Sequence, residues 1–466
     1  MRMNLPAFLP NIANFLLFSP HDRGDYRPPY EAQSLILRLT ENCDNHGQCK
    51  FCTYTRRTPG KSQFREKELP QVEKDLQEAS QHYARWLSLL GKYENGPCAE
   101  GESTGTPHWT QALKEQWYQR VFFQEANALI LDASRLKRVM ALVQDYFPHI
   151  RHFSSFGSAK VLGNPRHPRY KPVEALAELR ERGLDRVYMG LESGADEVLG
   201  FMGKGSTAQE MTEAGQNVVR AGIELCLSFI LGLGGKERSA IHAQETARVL
   251  NQIQPQVVAA LGLFLNPHTP LYEEMRQGRF TPASLEQILE EKESILERLD
   301  FACFFSCSHV ANLLTEVTGT LPQDRPKMLA AIHRYRALSL PERLLFILGS
   351  RDHWYPTLDH FLQEDPKARY TRLAVNLRVK LNQREREARA EQDSTGGREE
   401  DRDYVQSGRR LLERLQEPHW SSQERLLMLR LWERNRSWLD DADVLSSRWL
   451  SALYSQASTL FPPQYM

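Results

Sequence analysis

The sequence predicts an α/β fold, a partial (β/α)6 TIM-type barrel with a mostly helical C-terminal extension. Three observations carry this. Six short apolar runs between Ser34 and Leu265 alternate with helical patterns. No hairpin signal separates neighbouring runs, and parallel strands need crossover connections rather than tight turns. Such an array is an open barrel or a doubly wound sheet. Polar or glycine residues at or near the C-terminal ends of successive strands (Glu125, Ser158, Glu192, Gly232 and His268) favour the barrel, whose chemistry collects on that face.

The elements follow in order. "SLILRLT" (Ser34 to Thr40) is the first strand, and "RVFFQEANALIL" (Arg120 to Leu131) is the second. Leu136, Val139, Met140, Val143 and Phe147 then share one helical face until Pro148 stops the helix. "IRHFSSFGSA" is the third strand, Val173 to Arg182 a helix closed by Gly183, and "RVYMGLES" the fourth strand. Thr207 and Glu210 have capping-box spacing at the head of a helix ending near Gly222, followed by "IELCLSFILGLGG" as the fifth strand. Helix "SAIHAQETARVLNQI" and strand "VVAALGLFL" complete the sixth unit.

Composition and charge set the domain plan. The boundaries are an N-terminal segment 1–33, a barrel 34–300 with an insertion at 85–117 that has the length of a lid, a helical part 301–383, a charged linker 384–403 and a helical tail 404–466. At 466 residues and 41% hydrophobic, the chain can bury a large core. Lys+Arg and Asp+Glu balance at 59 each, so no global field favours nucleic acid or an anionic membrane. The apolar piece Phe15 to Phe18 is too short and interrupted for a signal peptide, and no run is long enough to span a bilayer. Seven cysteines at low density suit a reducing, cytoplasmic compartment.

Three of those cysteines sit in "ENCDNHGQCKFCTY": Cys43, Cys49 and Cys52, directly after the first strand. Three thiols are one short of a closed tetrahedral site. His46 would complete a Cys3His zinc site, whereas a [4Fe-4S] cluster held by three thiolates keeps one iron open for substrate or cofactor. Placement of all three in one short loop, rather than on two knuckles, points to the cluster. Cys226 is read as core, Cys98 as unrelated, and Cys303 and Cys307 lack the neighbours that an auxiliary cluster would need. His309 and Asn312 either face substrate or form a packed polar pair.

With these residues in view, the chain resembles the radical SAM superfamily, nearest to the branch of the oxygen-independent coproporphyrinogen oxidases and related Fe-S oxidoreductases. "RPPYEAQSLILRLTENC", "YMGLESGADEVLGFMGKG", "FILGLGG" and "NPHTPLYEEM" carry the resemblance, which extends over residues 28–314. It implies a [4Fe-4S] cluster on Cys43, Cys49 and Cys52, with S-adenosylmethionine (SAM) chelating the open iron. It further implies Phe51 against the adenine, Glu125 on the methionine amino group, Glu192 and Lys204 on the ribose or amino acid, and Ser228 and Gly232 along the adenosine. The plainer readings are a helix cap for Glu192, a solvated Lys204 and a glycine-rich turn at Gly232. Two departures stand out: the first cysteine gap is five residues where the superfamily has three, and Gln124-Glu125-Ala126 replaces the usual Gly-Gly-Glu.

The expected activity is reductive cleavage of SAM and hydrogen abstraction from an unidentified substrate, driven by a one-electron reductant such as flavodoxin or ferredoxin. An RNA-modifying radical enzyme using the basic segments "RLLFILGSR" and "RYTRLAVNLRVK", and a non-catalytic iron-sulfur or zinc scaffold, are the alternatives.

Overall fold

The computed structural model describes residues 28–31, 34–52, 63–94, 119–266, 268–309, 311–351, 355–365 and 368. Six parallel strands run side by side in chain order: Leu35–Arg38 (β1), Arg120–Gln124 (β4), His152–Gly157 (β5), Leu184–Glu192 (β6), Glu224–Leu231 (β7) and Val257–Gly262 (β8). This is the expected partial (β/α)6 barrel. A two-stranded ribbon, Thr40–Glu41 (β2) with Arg65–Glu66 (β3), leaves the barrel just past β1.

The helices are Leu69–Glu94 (α1), Ala133–Tyr146 (α2), Ala159–Leu162 (α3), Val173–Glu181 (α4), Asp196–Met202 (α5), Ala208–Arg220 (α6) and Gly235–Ile253 (α7). Beyond them lie Pro270–Arg276 (α8), Leu285–Arg298 (α9), Arg325–Ala337 (α10), Leu340–Arg351 (α11) and Leu358–Gln363 (α12). Period and caps explain their limits. Leu136, Val139, Met140 and Val143 are buried on α2, and Thr207 with Glu210 closes a complete capping box on α6. Gly183 and Gly222 end the preceding helices at positive φ.

Alternation along the strands sorts the core into two layers. Leu35, Leu37, Val121 and Phe123 face the helices within the large outer cluster. Ile36, Phe122, Tyr188 and Cys226 face the barrel interior, with Phe156, Val257 and Ala259 packed against them. Phe122 meets Phe156 and Tyr188 edge-on, at 5.1 and 5.7 Å between ring centroids. Buried Glu31 accepts the Tyr188 hydroxyl at 2.6 Å.

Two differences from the sequence reading have physical causes. The second strand stops at Gln124, not Leu131, because Glu125 takes φ +88° and a 3-10 turn follows over Ala128–Ile130. The sheet also crosses the boundary placed at 300: Cys303–Ser306 (β9) pairs parallel with β8, and Gly319–Leu321 (β10) pairs antiparallel with β9. A four-residue strand with Cys303 and Phe305 buried is too short a signal to show against the helices after it. The insertion begins as the end of α1; residues 95–118, the linker 384–403, the tail 404–466, Cys98 and most of the N-terminal segment lie outside the described residues. Among the described residues no helix is long and apolar enough to cross a membrane.

Candidate metal centre and its surroundings

The cysteine loop is built from tight turns at the C-terminal mouth of β1. Asn42, His46 and Gly47 take φ of 66°, 52° and 70°. The turns are closed by His46 N to Cys43 O at 2.9 Å, Gln48 N to Asn45 O at 3.0 Å and Cys52 N to Cys49 O at 3.2 Å. Three separate elements clamp the loop. Asn127, after β4, donates to Asp44 at 3.1 Å. Lys50 N donates to Met202 O at the end of α5 (2.8 Å), and Leu271 N at the head of α8 donates to Lys50 O (3.0 Å). The Lys50 ammonium completes the clamp on Glu274 at 3.1 Å and lies over the Phe201 ring.

Cys43, Cys49 and Cys52 are all half-buried thiols. Backbone N of Asn45 donates to Cys43 Sγ at 3.4 Å, and Asn45 Nδ2 donates to Cys49 Sγ at 3.1 Å. Burial pushes the Cys43 thiol up to about 12, with Asp44, Cys49 and Cys52 adding to the rise. A bound cation reverses that logic by stabilising thiolate. Three thiols in one loop, with N–H groups already aimed at two of them, are in their chemistry the donor set of a thiolate-held cluster, which spaces its sulfurs wider than a single metal ion does. His46 is exposed, and among the described residues no group of three or more His, Cys, Asp or Glu side chains is arranged to hold a metal ion.

Glu125 and Glu192 share an unusual backbone. Both take positive φ, 88° and 62°, at the C-terminal ends of β4 and β6. This region costs a non-glycine residue on the order of 1–3 kcal/mol and persists only where the surroundings enforce it. Glu125 therefore occupies, as an L-residue, the kind of backbone that a glycine would supply at no cost. Its carboxylate is buried, with Arg38 Nη1 at 3.7 Å.

Glu192 and Lys204 meet each other, with Nζ to Oε1 at 2.9 Å. Burial alone would lower the Lys204 ammonium; the charges of Glu192 and then Cys49 and Cys43 outweigh it and hold it above the ordinary lysine value. Lys204 is thus no solvated lysine, and Glu192 accepts from it rather than from a helix terminus. Gly190 makes the pair possible, because a Cβ there would lie 2.1 Å from Glu192 Oε1 and 3.2 Å from Lys204 Nζ.

The remaining candidates spread out from this centre. Phe51 packs against the apolar cluster of Ala195, Val198, Met202, Leu271 and Met275. Ser228 lies on β7 in register with Gly190. Gly232 needs its φ of +80°, and its N–H donates to Glu291 at 2.7 Å. His309 and Asn312 form polar ties at the end of β8: His309 Nδ1 accepts from Gly262 N at 3.3 Å, and Asn312 Nδ2 donates to Ala260 O at 2.7 Å. Cys226, Cys303 and Cys307 are buried, the first two pushed up to about 12 and about 11 by burial.

Sequence reasoning missed Asn45, Lys160, Gly190, Gly203 and Gly205. The two later glycines surround the loop: a Cβ on Gly203 would lie 2.5 Å from Gln48 O, and one on Gly205 2.7 Å from Asn45 Oδ1. The run "GFMGKG" held the signal for both, since glycines before and after a lysine argue for close backbone approach. Nothing local marks Asn45 or Lys160.

Residues 120–243 match the family model described as Radical SAM superfamily. That match begins after the cysteine loop. The comparison with curated proteins finds no match. Among solved structures, the chain is similar to coproporphyrinogen III oxidase from Escherichia coli, described as a radical SAM enzyme, at 15% identity and a TM-score of 0.36, covering 62% of this chain and 56% of that one. Methylornithine synthase gives 14% identity and 0.35, covering 57% and 61%. A radical S-adenosylmethionine methyltransferase from Kitasatospora setae, with cobalamin and a [4Fe-4S] cluster bound, gives 14% and 0.34, covering 53% and 38%. The chain spans less than two thirds of each of these proteins, and likeness at this level carries no weight for the reaction.

Proposed function

From the radical SAM match over residues 120–243, whose superfamily uses a [4Fe-4S] cluster and SAM, we propose that this chain is a radical SAM enzyme with Cys43, Cys49 and Cys52 as its cluster ligands. The observation that carries the reading is the gathering of these three thiols on one clamped loop at the C-terminal mouth of the barrel. A cluster held by Cys43, Cys49 and Cys52 would supply one-electron reductive cleavage of SAM, and through it hydrogen abstraction from substrate.

The chain's own residues bind and orient. Glu125 offers a buried carboxylate to the SAM amino group, at the end of the strand adjoining β1. Glu192, paired with Lys204, offers another from β6. The second oxygen of Glu192 remains for a ribose hydroxyl or an ammonium. Phe51 presents a ring beside the apolar cluster above Met202, where an adenine can stack, with Ser228 and Gly232 further along the strand ends. The one-electron donor is a flavodoxin- or ferredoxin-type protein. Substrate enters at the same mouth, where the barrel excludes water from the reacting atoms.

Anaerobic reconstitution with iron and sulfide, followed by SAM and dithionite, tests the reading. The expected result is about four irons per chain and release of 5'-deoxyadenosine. Substitution of Cys43, Cys49 or Cys52 by Ala abolishes both, while Cys226→Ala, Cys303→Ala and Cys307→Ala keep the iron. Stoichiometric zinc after reconstitution, or iron without SAM cleavage, would return the chain to the scaffold class.

A further inference from the structure

We propose that Asn45 and Lys160 set the reduction potential of the cluster, through a hydrogen bond on the Cys49 sulfur and a positive charge held directly behind it. The inference rests on the reading of the three cysteines as cluster ligands. Asn45 lies inside the five-residue gap between Cys43 and Cys49. Its side chain is buried at 6% exposure. Nδ2 donates to Cys49 Sγ at 3.1 Å and to Gly203 O at 3.0 Å, and Oδ1 accepts from Lys160 Nζ at 2.7 Å. An ammonium only donates, so Lys160 fixes which end of the carboxamide faces the sulfur.

The receptor for this carboxamide is shaped on the opposite side. Gly205 holds φ +71°, and a Cβ there would lie 2.7 Å from Asn45 Oδ1 and 3.2 Å from Lys160 Nζ. Lys160 makes no ion pair with a carboxylate among the described residues, so its charge stays directed at Asn45. Lys204 adds a second cation that feels Cys49 and then Cys43. The Cys49 corner therefore carries a hydrogen-bond donor and two nearby positive charges. Each draws electron density from the thiolate and favours the more negative, reduced cluster, because hydrogen bonds to sulfur and local charge are levers on cluster potential. Asn45 and Lys160 act through Cys49 and are positioning residues.

The test is an anaerobic redox titration of the reconstituted full chain, followed by electron paramagnetic resonance, in the wild type and in Asn45→Ala, Lys160→Met and Lys160→Arg. Asn45→Ala is expected to make the reduced cluster at least tenfold harder to form, a midpoint lower by about 59 mV for one electron. Lys160→Met shifts in the same direction by less, and Lys160→Arg returns to the wild-type midpoint, with iron content unchanged in all three. Wild-type midpoints in both Asn45→Ala and Lys160→Met at full iron content overturn the inference and leave Asn45 as a loop anchor. Should Asn45→Ala lose iron, Lys160→Met decides, since it keeps Asn45, whose Nδ2 is still held by Gly203 O. Should the wild type take up no cluster, the ligand reading itself falls, and the inference with it. That outcome is distinct because no variant then gives a signal to titrate.

Discussion

Glu291 on α9 is 1% exposed, yet it braces the turn after β7: Oε2 accepts the Gly232 N–H at 2.7 Å and Oε1 accepts the Ser239 hydroxyl at 2.6 Å. His242, fully buried on α7, lies 3.9 Å away and shares a hydrogen bond of 2.8 Å with Ser193, just past Glu192. Burial pushes Glu291 up to about 7 and His242 down to about 4, so both are neutral between those values. Above about pH 4.5 the unfolded chain releases the Glu291 proton that the native state keeps. Stability from this group is therefore full below 4.5 and lost as pH rises to about 7.

His242 runs the other way. Its contribution is present above 6.5 and lost as pH falls to about 4. From about pH 5 to about pH 6.5 the two slopes, each up to roughly 1.4 kcal/mol per pH unit, oppose one another. Glu291→Gln keeps the shape and an oxygen for Gly232 but no longer titrates. It should gain about 2 kcal/mol relative to the wild type across that window, while His242→Asn should lose a similar amount. Urea unfolding followed by circular dichroism at both ends of the window, at constant ionic strength, measures this. Parallel wild-type and Glu291→Gln curves would refute the assignment of a buried, protonated Glu291.

Three further outcomes follow from the same geometry. Glu125→Gln and Glu192→Gln should each weaken SAM binding by roughly 10- to 100-fold in calorimetry at unchanged iron content, the worth of a charge-assisted hydrogen bond; unaltered affinity in both would displace the proposed cofactor site. Gly190→Ala should push the Glu192 carboxylate off Lys204, which a loss of SAM affinity at near-normal thermal stability would register, since the added Cβ would lie 2.1 Å from Oε1. Tyr188→Phe should cost about 1–3 kcal/mol in urea unfolding by removing a donor from buried Glu31 at the barrel interior, and should leave SAM affinity unchanged.

Periodicity marked the alternating strands and helices, and the polar strand ends pointed to a barrel rather than a doubly wound sheet. Period-3.6 faces such as Leu136 to Val143, a complete capping box at Thr207, and glycines after helices are local signals, and each element they mark forms where they place it. The sequence by itself also determined the cysteine loop and the polar strand ends, because thiol spacing and strand-end carboxylates are chemical facts that need no partner to be seen.

What faces what was decided only in three dimensions. Glu192 and Lys204, twelve residues apart, form one ion pair because α5 turns the chain back and Gly190 leaves space for the carboxylate. Asn45 reaches Lys160 across 115 residues and Gly203 across 158, and Glu291 reaches Gly232 across 59. The positive φ at Glu125 and Glu192 has no sequence mark, since glutamate does not favour it and only the packed surroundings hold it there. Short-range chemistry is written in residue type and spacing, whereas the partners of a buried charge are chosen by the crossovers that bring distant strand ends to one mouth, where an unpaired charge would cost too much to remain.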